Sequence, residues 1–131
     1  MLEMQIQPCF QETDALGHIN NTVPAVWFEA ARDPLFRIFS PELDVHNWHL
    51  IIAGYTVQFK RELFYGQQVS INTGVRRIGS SSFTLWQEAW QGGELAVTGE
   101  TTLIHFDYQT RQSLPLSDKH REALRAWLIE S

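Results

Sequence analysis

Between about residues 21 and 39, Val23, Val26, Trp27, Ala30 and Ala31 recur at helical spacing, and the stripe runs on through Leu35, Ile38 and Phe39. An apolar stripe of that width predicts a mostly buried helix. Pro24 falls in the first turn, where a missing N–H costs little, whereas Pro34 lies inside and predicts a bend near Asp33. From Tyr55 the rhythm shortens to two: Tyr55, Val57 and Phe59 face one way and Thr56, Gln58 and Lys60 the other, the mark of a strand. Turns at Tyr65-Gly66 and Gly79-Ser80 lead into strands carrying Val69 to Val75 and Phe83 to Ala89. Gln91-Gly92-Gly93-Glu94 predicts a tight hairpin, because paired glycines supply the positive φ of a primed turn, and the last long strand runs from about Leu95 to Phe106. Ahead of the helix, residues 3 to 11 read as a short strand that takes in Cys9, followed by a polar loop over 12 to 20. After Pro115, Ser117 is the N-cap expected for a terminal surface helix with Leu124, Trp127 and Leu128 as its apolar stripe. One strand, one buried helix and an antiparallel meander make an α+β plan in which the sheet wraps the helix, with one domain expected over residues 1–131.

Composition narrows the function classes. The 131 residues are 44% apolar, with five Trp and eight Phe, which supports a real core. A net charge of −5 argues against general nucleic-acid binding. No stretch approaches the roughly 20 apolar residues of a membrane span, and the opening residues lack a basic region followed by an apolar one, so the expected location is cytoplasmic, away from membranes. The single cysteine, Cys9, fits a reducing compartment. The five histidines show no i, i+4 pairing with carboxylate support, so no metal is expected. Basic pairs at Lys60-Arg61 and Arg76-Arg77 suit a small anionic ligand better than a polymer.

The chemistry concentrates in Thr13-Asp14-Ala15-Leu16-Gly17-His18-Ile19-Asn20-Asn21, just before the buried helix. Free N–H groups and the positive dipole end of a helix N-terminus can polarise a carbonyl and stabilise an oxyanion, while Asp14 attacks or directs water. Together with Trp27-Phe28-Glu29-Ala30-Ala31-Arg32, this loop resembles the signature of the 4-hydroxybenzoyl-CoA thioesterase-like hotdog family, and the likeness covers nearly the whole chain. The resemblance implies a hotdog fold, in which a curved antiparallel sheet wraps a long central helix, and a homodimer or homotetramer with sites between subunits. It implies hydrolysis of an acyl-CoA to free acid and coenzyme A without a metal or prosthetic group. It carries the catalytic carboxylate onto Asp14 and the carbonyl-polarising backbone amide onto Asn21, with nucleophilic and general-base roles for Asp14 both open.

His18 is a candidate to contact substrate or position water, and Gly17 and Asn20 to shape the loop against it. Trp27, with Phe28, Trp48, Tyr55 and Phe59, is a candidate acyl-pocket residue, although aromatics at such spacing also build cores. Lys60, Arg61, Arg77, Ser80 and Ser81 are candidates for the coenzyme A phosphates and pantetheine. The family pattern often carries Tyr where this chain has Pro24 and Trp27. Glu29 is a rival carboxylate, placed roughly 12 Å along the helix from its start, and a structural ion pair with Arg32 is the favoured reading. Two other functions compete: a non-catalytic module binding acyl-CoA or acyl-carrier protein, and a hotdog dehydratase, for which only His18 is suitably placed.

Overall fold

A computed structural model describes residues 1–129. Strand β1 (Leu2–Ile6) stops short of residue 11, since Pro8 has no N–H to give a ladder and Phe10–Glu12 close a 3-10 turn. Glu12 accepts the Cys9 N–H at 2.6 Å, so Cys9 lies exposed outside the strand that was expected to contain it. The predicted long helix divides into α1 (Val23–Ala30) and α2 (Asp33–Phe39). Pro34 cannot donate to the Ala30 carbonyl, which breaks the ladder at Ala31-Arg32. The Phe28 carbonyl, deprived of its helical partner, accepts instead from Gln87 Nε2 at 2.8 Å.

The strands β2 (Leu50–Phe59), β3 (Val69–Ile78), β4 (Ser82–Gln91) and β5 (Glu94–Asp107) are antiparallel and run in the order β1-β3-β4-β5-β2. The meander is therefore β3-β4-β5 alone, because β2 crosses to pair with β5 from Leu50↔His105 to Phe59↔Val97 and becomes an edge. At the β4–β5 hairpin, Gly92 and Gly93 take φ of 61° and 78° between the paired Gln91 and Glu94, as their sequence predicts. A short β6 (Gln112–Ser113) adds to the end of β5. The sheet curls as a half-barrel with α1 inside, which is the hotdog arrangement. Close approach of helix to sheet depends on Gly99, where a Cβ would stand 2.8 Å from the Phe28 ring.

Two cores result. Trp27, Phe28 and Ala31 pack with Val69, Ile71, Ala89 and Val97 at one end; Leu35, Phe39, Val75, Phe83, Leu85 and Leu124 pack at the other. Helix α3 (Asp118–Arg125) contributes Leu124 to the second core, but Trp127 and Leu128 fall beyond its last turn. Leu128 bridges to Val75 in the tail, so the expected three-residue helical stripe is only partly helical.

The α3 start carries two testable features. Ser117 Oγ accepts the His120 N–H at 3.1 Å, and His120 Nδ1 accepts the Ser117 N–H at 3.3 Å. Ser117→Ala should cost about 1 kcal/mol in urea unfolding, the usual loss for an N-cap. His120 stacks against Phe39 with His105 beside it, and burial, then His105 and Lys119, push its pKa below the ordinary histidine value. Its neutral form is thus favoured by folding: that stabilisation is complete above the unfolded pKa, near 6.5, and is lost as pH falls through the lower folded value. The urea midpoint should drop between pH 7 and 5, and drop less in His120→Gln.

Candidate active site

The loop from Thr13 to Asn20 is held closed by its own backbone. Thr13 bridges to Ile19, Asp14 N–H donates to the His18 carbonyl at 2.8 Å, and Ile19 N–H donates to Leu63 at 2.8 Å, tying the loop to the segment after β2. Gly17 turns the chain at φ 87°, a conformation that penalises other side chains. Within this frame Asp14 Oδ1 accepts the N–H groups of Leu16 at 2.9 Å and His18 at 3.3 Å. Oδ2 has no hydrogen-bond partner among the described residues. The carboxylate is half-buried, anchored through one oxygen and free at the other.

Six residues on, Asn20 Oδ1 accepts from Thr22 through both its N–H, at 2.9 Å, and its hydroxyl, at 2.7 Å, which fixes the entry to α1. The Asn21 N–H has no acceptor among the described residues. Asp14, His18, Asn20 and Asn21 line one cavity of about 760 Å³. Pro24, Phe59 and Val97 supply its apolar wall, and Lys60, Arg61 and Glu94 stand at the end of the sheet. His18 Nε2 lies 3.2 Å from Glu62, and its ring meets Phe64 edge-on. Arg61 pairs with Glu94 at 3.3 Å, with both groups more than half exposed. Such a pair contributes little to stability and is readily exchanged for an anionic ligand.

Other predicted site residues lie elsewhere. Trp27 is buried in the first core, where its Nε1 donates to Glu12 at 2.9 Å, so it pins the loop to α1 and does not line the cavity. Gly17 is exposed at the loop tip outside the lining. Arg77, Ser80 and Ser81 sit at the opposite end of the sheet, seven residues along β5, roughly 24 Å away at strand spacing. There the Ser80 carbonyl accepts from Leu116 and Arg121, and the Ser81 carbonyl from His105.

The expected Glu29–Arg32 pair does not form. Arg32 lies in the break between helices, where the i, i+3 neighbourhood of a helix surface no longer holds. Its Nε donates to Gln87 Oε1 at 3.1 Å and its Nη2 to Thr101 Oγ1 at 2.9 Å. Burial pulls the guanidinium pKa below its ordinary value, opposed by the more distant charges of Glu29 and Tyr55. Glu12 was missed by sequence reasoning: its two oxygens join Cys9 to Trp27, the latter fifteen residues from Glu12 along the chain, and nothing local marks that partnership.

Residues 9–128 match the model of the thioesterase-like superfamily. The chain belongs to that superfamily. A predicted thioesterase of Bacillus stearothermophilus superposes with a TM-score of 0.96 at 35% identity, over 99% of this chain and 98% of that one. A Thermus thermophilus thioesterase solved with coenzyme A and Zn gives 0.84 at 28% identity, over 95% and 92% of the two chains. The DHNA-CoA thioesterase of Staphylococcus aureus gives 0.80 at 27%, over 95% and 88%. With the superfamily and these likenesses, the chain is a hotdog thioester hydrolase. No helix among the described residues of this thioesterase is long and apolar enough to cross a membrane.

Proposed function

We propose that the thioester is an acyl-CoA, cleaved by water to the free acid and coenzyme A. The observation that carries this is the meeting, in one cavity, of Asp14 Oδ2 and the Asn21 N–H just before α1, both without a partner among the described residues. The N–H and the helix dipole polarise the thioester carbonyl as negative charge develops on its oxygen. Asp14 either attacks the carbonyl carbon or takes a proton from the water that does, and the C–S bond breaks to release the thiol. Asn20 and Gly17 set the loop, and His18 bounds the substrate's path. Lys60 and Arg61 at the cavity's edge meet the phosphates, as the coenzyme A bound by the Thermus relative makes reasonable.

The working unit in this reading is a dimer. Strand β2 is a ten-residue edge with Tyr55 60% and Phe59 53% exposed, and Val26 of α1 stands 64% exposed beside it. A long apolar edge left open is an aggregation hazard, which a second copy removes by symmetric antiparallel pairing. Such pairing sets the Arg77, Ser80 and Ser81 end of one copy beside the Lys60-Arg61 end of the other, which restores these residues as candidates for the coenzyme A end of the site.

The test is release of free thiol from short, long and aromatic acyl-CoA esters, with mass in solution measured on the same sample. Turnover of at least one ester by a species of twice the chain mass or more supports the reading. Binding of the esters without thiol release replaces it with the non-catalytic module.

A further inference from the structure

A second cavity lies next to the Asp14 cavity along α1, β2 and β5, with no lining residue shared between the two. Pro24, Phe59 and Val97 line the Asp14 cavity, and their successors along the same three elements, Ala25, Val57 and Gly99, line the second, of about 200 Å³. Arg32 and Thr101 line the second cavity, with Glu29 and Tyr55 also on its wall.

Arg32 is only 4% exposed, and no carboxylate lies within 4 Å of its guanidinium among the described residues. Its two hydrogen bonds go to neutral acceptors, Gln87 and Thr101, through Nε and Nη2. Nη1 has no acceptor among the described residues. Nη1 is not sealed off, since the one fully buried unpaired side-chain atom among the described residues is His49 Nδ1, and Arg32 lines the cavity, so this obligate donor is a site for an acceptor that enters it. From Val97 to Thr101 is four residues of strand, roughly 13 Å. Three bonds of extended chain cover about 3.4 Å, so an extended acyl chain spans that distance in roughly ten to twelve bonds.

We infer that Arg32 is a specificity-determining residue that receives an oxygen acceptor at the far end of the acyl chain while the thioester sits at Asp14. The inference rests on the hydrolase reading above and adds the class of acyl group: a medium-length chain ending in a carboxylate, keto or hydroxyl oxygen. A methyl-ended chain of the same length would displace water from Nη1 and offer nothing in return. Sites built to hydrogen-bond a substrate oxygen discriminate strongly against analogues that lack it. Glu29, across the same cavity, disfavours a second negative charge, so the balance between carboxylate and hydroxyl ends is a measurable property of the site.

The experiment compares kcat/KM for three acyl-CoA esters of equal length, about ten to twelve chain atoms, ending in methyl, hydroxyl and carboxylate. The wild type should prefer at least one oxygen-ended ester over the methyl-ended one by about tenfold or more, the loss of a hydrogen bond to a charged group. In Arg32→Met, with folding checked by circular dichroism and urea unfolding, that ratio should collapse towards one. Should the variant not fold, the wild-type panel still decides. Thiol release at equal kcat/KM from all three esters overturns this inference alone, as does a ratio unchanged in a folded Arg32→Met. Thiol release from no ester, short or aromatic controls included, overturns the hydrolase reading and this one with it.

Discussion

Asp14→Asn should lower kcat for acyl-CoA hydrolysis by at least about 100-fold while leaving the urea midpoint within about 1 kcal/mol of wild type, because the group removed acts in the transition state. The two halves of that expectation come from different oxygens. Oδ1 holds the loop by accepting from Leu16 and His18, and an asparagine amide oxygen can take over both bonds. Oδ2 holds nothing among the described residues, so replacing it with an amide removes the negative oxygen without unpicking the turn. Steady-state thiol release and unfolding, measured on one preparation, separate the effects. Activity near wild type would move the chemistry to Glu29, the rival carboxylate on α1. A single turnover in heavy-oxygen water then bears on the route: label in Asp14 marks a nucleophile whose anhydride is opened at the aspartyl carbonyl, whereas label only in the acid is the outcome both of general-base attack and of an anhydride opened at the acyl carbonyl.

The parts of this site that were legible in the sequence are those fixed by near neighbours. The turn at Gly17, the asparagines before α1 and the paired glycines at 92 and 93 depend on residues within four positions of one another, and each lies where the pattern predicts. The break before Pro34 is legible for the same reason, since a missing N–H acts one turn back. Partnerships across the chain were not. β2 follows the helices in sequence but pairs with β5, a contact set by how the half-barrel closes around Phe28. Arg32 reads as Glu29's partner only if the helix continues, and once it stops at Ala30 the side chain reaches β4 and β5 instead. Trp27 shows the limit of composition: an aromatic beside a catalytic loop is as suitable for pinning the loop as for touching substrate, and here its indole N–H binds Glu12.

Gln87→Leu should destabilise the protein by about 3 kcal/mol or more, although the two side chains are similar in size. Gln87 is buried in the middle of β4 and makes three hydrogen bonds with one amide. Its Oε1 accepts from Arg32, and its Nε2 donates to the Phe28 carbonyl at 2.8 Å and to Thr73 Oγ1 at 2.9 Å. Leucine leaves the hydroxyl and the carbonyl without this donor and strands the guanidinium on Thr101 alone. Each polar group orphaned in the interior costs about 1–3 kcal/mol before relaxation, and more where the lost bond was to a charged group such as the Arg32 guanidinium. Relaxation is restricted, because the Phe28 ring packs closely over Gly99. The same geometry joins stability to function. Gln87 caps the carbonyl where the helix breaks, and the break is what turns Arg32 inward toward the second cavity. A Gln87→Leu unfolding free energy within about 1 kcal/mol of wild type would show that the amide does not hold this corner together, and the buried arginine would need another explanation.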